Sequence, residues 1–489
     1  MPSQPTPGYS SGEYSLPNTR DYVVAELRYD SGIALLPSVE TLTSAAVNTR
    51  NRNELNEILS GFSVKRVEPL FPLGNDEYDR RAEEALPASM PAPDSEFALA
   101  GFVRIELRNP RLSGELVDQL KQAPGVWNAY LAPRPEPANM PTGATRGSRN
   151  FEPAQGYLYD PPDGIGACAA WTQPGGTGAG VTICDVEGAW QLQHEDLPQG
   201  IKLVGGKMKY NRAWRNHGTA VLGEMVSVPN NVGCVGISHG ASAAVHSVFI
   251  NGVWNVAGAI VGATNALQAG DILLIEQHAK GGPNNKFLAM QFWPAEFAAI
   301  RTAVAKGVVV VEAAGNGDEN FDLPVFAGTG LQKDAGAIVV GAGVPPSNYF
   351  DAYGYGGVAP SYSRIGIPRS RIWFSNYGKI VNAQGWGWHV TTLGYGDAQG
   401  GRSDKKWYTL RFSGTSSAAP MVASAAAILQ GFAKNRRGQP LTPAEVRGIL
   451  IKTGTPQADD APRAPLGENI GPQPNLRAAL AELELWFAG

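Results

Sequence analysis

The sequence has few cysteines and no large excess of either charge. Its three cysteines, Cys168, Cys184 and Cys234, cannot all pair with one another, and no Cys-x-x-Cys spacing indicates a metal site. The 40 lysines and arginines nearly balance the 44 aspartates and glutamates, for a formal net charge of −4. This balance gives no reason to expect nucleic acid or an anionic membrane as a partner.

A long apolar run and a leader peptide are also lacking. No run of residues is predicted to span a membrane. The start, Met-Pro-Ser-Gln-Pro-Thr-Pro, has neither the basic nor the apolar region of a signal peptide. The location expected from the sequence is therefore the cytoplasm. The alternative is secretion behind a leader that this sequence does not include.

Glycine and proline are abundant, and their distribution divides the chain into four parts. The 59 glycines and 37 prolines are interrupted throughout by apolar runs, which indicates tight turns rather than disorder. Residues 1–20 are rich in Pro, Ser and Gly and are predicted to be mobile. Residues 133–162 form a linker by composition. The two remaining parts, 21–132 and 163–489, show the apolar periodicity of strands and helices.

The pattern of residues 21–132 predicts a small α+β domain. Strands are predicted near 23–29, 64–71, 103–107 and 126–131, and helices near 53–59 and 113–122. The resulting order βαββαβ is typical of a ferredoxin-like sandwich.

Residues 163–489 show a longer alternation of strands and helices. Strands are predicted at 181–185, 244–250, 272–276, 308–312 and 337–341. Helices are predicted at 217–226, 253–267, 294–306, 442–452 and 475–485. Such alternation is typical of the α/β class, here a doubly wound parallel sheet with helices on both faces. The stretch 343–410, rich in Gly, Tyr and Trp, breaks the rhythm and is predicted to form surface loops and extra strands.

Ser416 lies in a Gly-Thr-Ser turn directly before a run of small residues. The run predicts a helix, with Pro420 tolerated in its first turn and Gly431 suited to its end. Ser416 would then stand at the helix N-terminus, where unpaired N–H groups and the helix dipole favour developing negative charge. The alternative is an alanine-rich core helix with a capping serine.

Two further segments offer the partners that a nucleophilic serine needs. Asp185 ends an apolar strand, and His217 opens a predicted helix of small residues. A serine nucleophile requires a base that takes its proton and a carboxylate that orients the base. The order Asp185, His217, Ser416 is the one found in subtilisin.

At these residues the sequence resembles the subtilase family, the subtilisin-like serine peptidases, over roughly its last two-thirds. The matching motifs are the Asp185 strand end with His194-Glu-Asp-Leu197, His217-Gly-Thr, Ala313-Ala-Gly-Asn316-Gly and Gly414-Thr-Ser416-x-x-x-Pro420. The resemblance implies a serine endopeptidase that works through an acyl-enzyme. Asp185, His217 and Ser416 would be its triad, and Asn316 with the Ser416 backbone N–H its oxyanion hole. Without the other motifs, Asn316 would be interpreted as a turn asparagine.

The resemblance also suggests a role for the N-terminal domain. Subtilase propeptides have a similar βαββαβ pattern and act as folding chaperones and inhibitors, so the chain would be a zymogen. Its partners would be polypeptide substrates and its own N-terminal domain. Alternatives are an accessory binding domain, a latent or scaffolding protein that binds peptides without turnover, and a dedicated intracellular processing peptidase with one partner substrate.

One departure from the family concerns the expected substrate edge and pocket. Residues expected there are Glu276, Gly281, Gly282, Glu312, Ala313 and Gly315. Glu276 stands where many subtilases have a small residue, and Glu312 where alanine is common. An acidic pocket that prefers Arg or Lys before the cleaved bond is one interpretation. The other is a hydrogen-bonded carboxyl pair that shares a proton and shapes the wall.

No metal or cofactor is expected to be required. His194 is interpreted as structural, and the remaining histidines outside the triad have no ligand-like spacing. Structural calcium at Asp318, Glu319 and Asp322 is possible by resemblance to some subtilases, but their spacing matches no recognised cage. Cys184 is predicted to point to the opposite face of its strand from Asp185 and to pack in the core.

Overall fold

The computed structural model describes residues 22–27, 49–71, 99, 101–135, 149–209, 211–346 and 366–488. The predicted mobile segment 1–20 and the middle of the predicted linker, 136–148, lie outside the described residues. The largest sheets have four and seven strands, one in each of the two regions that were predicted to be structured.

The N-terminal domain is a four-stranded antiparallel sheet with two helices. Its elements are β1 (Val23–Leu27), α1 (Thr49–Ser60), β2 (Val64–Pro69), β3 (Phe102–Leu107), α2 (Ser113–Leu120) and β4 (Val126–Leu131). The strand order is β2-β3-β1-β4, which confirms the predicted ferredoxin-like sandwich. Leu55 and Leu116 of the two helices pack with Val23 and Ile105 in one core.

The second domain is built on a seven-stranded parallel sheet. Its strands are β5 (Thr182–Glu187), β6 (Lys202–Gly205), β7 (Ser242–Ser247), β8 (Phe249–Ile250), β9 (Val253–Trp254), β10 (Ile272–Ile275), β11 (His278–Gly281), β12 (Lys286–Ala289), β13 (Val309–Ala313), β14 (Ile338–Gly343), β15 (Val381–Trp386), β16 (Val390–Leu393) and β17 (Tyr408–Phe412). The sheet order is β15-β14-β13-β10-β5-β7-β6, and each neighbouring pair is parallel. β15 belongs to this sheet although it comes from the stretch predicted to form loops and extra strands. The predicted α/β fold is confirmed.

Helices cover both faces of this sheet, as its buried apolar strands require. They are α3 (Ala167–Ala170), α4 (Arg212–Val226), α5 (Val256–Ala266), α6 (Pro294–Ala305), α7 (Thr415–Arg437), α8 (Pro443–Thr453) and α9 (Leu476–Ala488). On one face α4 and α7 pack with Ile183, Leu274 and Val311. On the other, α5 and α6 pack with Cys184 and Val186. Cys184 therefore lies in the core on the predicted face.

The central helix α7 is longer than the sequence predicts. It continues through Gly431 and ends at Gly438, which has a φ of 70°, a left-handed conformation that glycine adopts freely. Gly431 instead allows the backbone of Gly175 to approach α7 closely. By length and composition α7 could cross a membrane, contrary to the sequence prediction, but its apolar window is entirely buried inside the protein. It is the core helix of the second domain.

The N-terminal domain packs against the α5 and α6 side of the second domain. Tyr22 donates a hydrogen bond to the Trp254 carbonyl at 2.6 Å, and the Asn255 amide donates to the Leu70 carbonyl at 2.7 Å. Val24 and Phe102, on the sheet face away from α1 and α2, share a buried apolar cluster with Trp254 and Val256. The two domains are thus joined by a continuous core.

Candidate active site

The carboxyl end of β5 presents two acidic side chains to the same face of the sheet. Successive strand residues point to opposite faces, so Asp185 and Glu187 both face α4 and α7, like Ile183. Both side chains are fully buried. Glu187 is the last residue of the strand, and it therefore lies closer than Asp185 to the edge where the carboxyl ends of parallel strands gather.

His217 projects from α4 towards this edge and contacts Glu187. Asn211 caps the helix by accepting the backbone N–H of Ala213 at 2.8 Å. The helix begins at Arg212, so His217 lies in its second turn and not at its opening as predicted. The Nδ1 atom of His217 makes a very short contact with the Oε1 atom of Glu187.

The prediction that Asp185 orients His217 is therefore wrong. The Oδ2 atom of Asp185 accepts a hydrogen bond from the Trp190 indole at 2.7 Å. Within the described part of the chain, its buried Oδ1 atom has no hydrogen-bond partner. The alternation of strand residues places Glu187 on the same face as Asp185, two positions nearer the carboxyl end, so the sequence offers it as a second candidate without deciding between the two.

Burial disfavours the charged form of both His217 and Glu187. It lowers the pKa of His217 to about 3 and raises the pKa of Glu187 well above the usual glutamate range. The pKa of Asp185 is also raised, mainly by burial and then by the charge of Glu187. Phe412 packs edge-on against the His217 ring, with centroids 5.4 Å apart. The apolar wall and the carboxyl contact together fix the ring.

Ser416 lies in the first turn of α7, as the sequence predicts. Gly414 precedes the helix with a φ of 111°, which favours glycine. Ser417 anchors the turn by donating to the Trp386 carbonyl at 2.8 Å. The first N–H groups of α7 have no partner within the helix, so the position of Ser416 suits a group beside which negative charge develops.

Asn316 is held against the start of α7 through its side-chain oxygen. Oδ1 accepts the backbone N–H of Thr415 at 2.9 Å and the Thr415 hydroxyl at 3.0 Å. Fixing the oxygen also fixes the direction of the Nδ2 donors. A Cβ atom on Gly414 would lie 3.0 Å from Nδ2, so the glycine also leaves room for this amide.

Glu276 joins this group from the end of β10. The preceding residue, Ile275, pairs with Val186 of β5 and with Glu312 of β13, so Glu276 follows the centre of the sheet. Only 3% of its surface is exposed, and among the described residues neither carboxyl oxygen has a hydrogen-bond partner. Burial raises its pKa, while the Ser416 hydroxyl acts in the opposite direction as a donor to the ionised form. Leu274, two residues earlier, belongs to the core cluster of α4 and α7, so Glu276 lies on the face of the sheet on which α7 presents Ser416.

Glu312 lies on the opposite face of the sheet. On β13, Val309, Val311 and Ala313 belong to the core cluster of α4 and α7, so Glu312 alternates to the other side. Its Oε2 atom accepts the backbone N–H of Gln291 at 3.2 Å, and burial raises its pKa to about 8. The interpretation of Glu276 and Glu312 as a hydrogen-bonded pair is therefore wrong.

The predicted substrate edge is a hairpin of β11 and β12. His278 stacks on Phe287 with centroids 4.2 Å apart, Gly281 pairs with Lys286, and Gly282 has a φ of 67° in the turn. Gly315, with a φ of 93°, follows Ala313 at the end of β13. Whether these four residues, Gly281, Gly282, Ala313 and Gly315, bind substrate stays a prediction.

The other edge of β11 receives the segment that follows β4. Pro135 forms an isolated antiparallel bridge with Ala279. Arg134 lies over the Trp254 ring, 5.2 Å from its centroid. The end of the N-terminal domain thus reaches the hairpin that follows Glu276.

The remaining polar candidates have structural partners. Asp318 pairs with Arg371 at 2.8 Å, and Glu319 accepts from the Asn284 amide at 2.9 Å. His194 contacts the Trp407 carbonyl through Nε2 at 3.0 Å, in keeping with a structural role. Across the described ranges, no group of three or more His, Cys, Asp or Glu residues could hold a metal ion.

Comparison with known proteins gives one family. A sequence model of the subtilase family matches residues 202–468, more than half of the 489 residues. The chain belongs to the subtilase family. This is a family of serine peptidases. The matched residues include His217, Asn316 and Ser416, but the match begins after Glu187.

Structure comparison adds a more distant similarity. A solved chain described as proteases from Pseudoalteromonas arctica is 20% identical, with a TM-score of 0.47 over 69% of this subtilase and 99% of that chain. A search of curated protein sequences found no match.

Proposed function

We propose that this subtilase is a serine endopeptidase that cleaves peptide bonds through an acyl-enzyme on Ser416. The contact between His217 and Glu187 carries the proposal. It supplies a base whose ring is fixed by a carboxyl group at the same sheet edge as the start of α7. The Glu276 carboxyl, which interacts with both Glu187 and Ser416, links the two halves of the site.

The proposed reaction uses protein groups and water. Nε2 of His217 takes the Ser416 hydroxyl proton as Oγ bonds to the substrate carbonyl carbon. His217 then gives that proton to the amine as the peptide bond breaks. A water molecule, activated by His217 in the same way, hydrolyses the ester and restores Ser416. In this proposal Glu187 accepts a hydrogen bond from Nδ1–H, which leaves Nε2 without a proton and free to accept that of Ser416.

An oxyanion forms in both steps of the proposed reaction, acylation and deacylation, and needs hydrogen-bond donors. Nδ2 of Asn316 and the Ser416 backbone N–H are proposed for this role. The Asn316 amide is held by two bonds to Thr415, so little reorganisation is needed when charge develops. Loss of one such donor costs about 10²–10³ in turnover in subtilisin, from which this magnitude is taken.

We propose further that the N-terminal domain is a propeptide that inhibits the second domain, which makes the chain a zymogen. The shared apolar core and the Pro135–Ala279 bridge support this role. A chain added along the edge of β11 that Pro135 contacts would occupy the place proposed for a substrate strand.

The experiment that tests the function is Ser416→Ala in the full chain, with a fluorophosphonate probe on the parent protein. We expect the probe to label Ser416 and the variant to lose peptide hydrolysis and labelling together. Turnover by a folded Ser416→Ala protein would contradict the proposal. Failure of the probe to label Ser416 would favour a latent or scaffolding protein, and a proteome-wide cleavage profile limited to one protein would favour a dedicated processing peptidase.

A further inference from the structure

Glu276 is a buried carboxyl group that the proposed reaction does not use. It follows β10 on the sheet face of Leu274, which packs with α7. It is 3% exposed, and among the described residues neither of its oxygens has a hydrogen-bond partner. An unpartnered buried carboxyl is costly. A buried carboxyl group with a structural role usually has hydrogen-bond partners. A carboxyl group that must remain available to a reacting atom can lack them.

The surroundings of Glu276 disfavour its ionised form. The groups that act on it electrostatically are Asp185 and Glu187 from β5 and Glu224 from α4, all acidic. No Arg or Lys is among them. Glu224 is itself buried with both oxygens unpartnered. The pKa of His278, two residues further along the chain, is lowered to about 3, mainly by burial and then by the charges of His217 and Lys280. Glu312 lies on the other face of the sheet.

The two forms of Glu276 would treat the Ser416 hydroxyl differently. The neutral carboxyl can donate its O–H to Ser416 Oγ, which leaves the hydroxyl hydrogen directed to His217. The ionised carboxylate can only accept, so it would draw that hydrogen away from His217. It would also place a negative charge beside the point where the tetrahedral oxyanion forms, which opposes the transition state.

We propose that Glu276 is a positioning residue for the Ser416 hydroxyl and that only its neutral form permits turnover. This inference rests on the proposed function. It gives the site an alkaline limit set by a carboxylic acid. Turnover should fall about tenfold for each pH unit above the value at which Glu276 loses its proton, as for a single essential acid.

The test compares the pH profiles of kcat/KM for the full chain and for Glu276→Gln, with rates normalised to Ser416 labelled by fluorophosphonate. Glutamine keeps the shape of the side chain and cannot ionise. We expect the alkaline decline to move upward or disappear, so that the ratio of variant to parent rate rises at least tenfold from the acidic to the alkaline end. Glu312→Gln is the matched control. Glu312 also has a raised pKa, but it lies on the neighbouring strand and faces the other side of the sheet. The ratio of Glu312→Gln to parent kcat/KM should therefore stay constant across the pH range.

A second measurement keeps the proposal testable if Glu276→Gln does not fold, as judged by circular dichroism. Infrared titration of the parent protein should show a protonated carboxyl band that disappears with the alkaline decline and shifts in Ser416→Ala. An unchanged alkaline decline in folded Glu276→Gln, or the absence of that band, would overturn the inference. If Ser416→Ala is inactive in the same assay, the proposed function survives that result; activity of Ser416→Ala would refute the function itself.

Discussion

Replacing Glu187 by glutamine tests whether Glu187, which contacts His217, is the orienting carboxyl group, rather than Asp185, which the Asp-His-Ser order of the sequence suggests. Glu187 is fully buried and its Oε1 atom meets His217 Nδ1. A glutamine amide can donate to Nδ1, which would stabilise the tautomer with the proton on Nε2. That tautomer cannot accept the Ser416 proton. The fold should tolerate the change, because the two side chains have nearly the same shape.

The expected loss can be scaled from the corresponding change in a serine protease triad. An Asp-to-Asn replacement there lowers kcat about 10⁴-fold by the same tautomer effect. A loss of about 10⁴ corresponds to roughly 5 kcal/mol of transition-state stabilisation. Glu187→Asp should be intermediate in activity, because it keeps the charge type but shortens the side chain by one methylene and opens the contact with Nδ1.

Asp185→Asn is the matched control. Its carboxyl interacts with Trp190 and not with His217, so we expect a loss of less than about tenfold, within what a buried hydrogen bond explains. The assay is kcat/KM on a peptide substrate, with the rate of fluorophosphonate labelling as a second readout. Near-normal turnover of Glu187→Gln together with an inactive Asp185→Asn would refute the assignment.

Four further predictions follow from the same geometry. Asn316→Ala should lower kcat by about 10²–10³ with little change in KM, because the donor acts mainly in the transition state; a change in KM alone would mean that Asn316 only positions substrate. Matched Arg and Leu peptides should be cleaved at similar rates near neutral pH, because Glu276 and Glu312 have raised pKa values; a strong preference for Arg would show an ionised pocket. Folding raises the pKa of Glu312 from 4.5 to about 8, so between these pH values the folded state holds a proton that the unfolded state has lost. Relative to the parent, Glu312→Gln should therefore gain roughly 1.4 kcal/mol of unfolding free energy per pH unit in this range. The same stability difference between variant and parent in denaturant unfolding at pH 5 and at pH 8 would contradict this. Residues 151–489 should refold slowly alone, and residues 1–150 added in trans should both speed refolding and inhibit hydrolysis; fast refolding with activity unaffected by the added domain would leave that domain an accessory role.

Much of this protein can be predicted from local patterns. The alternation of apolar strands and helices predicts the α/β sheet, and small residues around Ser416 and His217 predict the helices that present them. These features depend on neighbours within a few residues, because strand and helix periodicity are local properties of the backbone. The βαββαβ order of the N-terminal domain could be predicted for the same reason.

Only the tertiary structure decided which carboxyl meets His217 and where Glu276 lies. Asp185 and Glu187 share a strand face, so sequence periodicity cannot choose between them; the position of α4 relative to the end of β5 does. Glu276 comes 140 residues before Ser416 in the sequence, and the packing of α7 against β10 places both on the same side of the sheet. Gly431 likewise continues a helix instead of ending it, because another backbone packs against it. In each case the deciding contact joins distant parts of the chain.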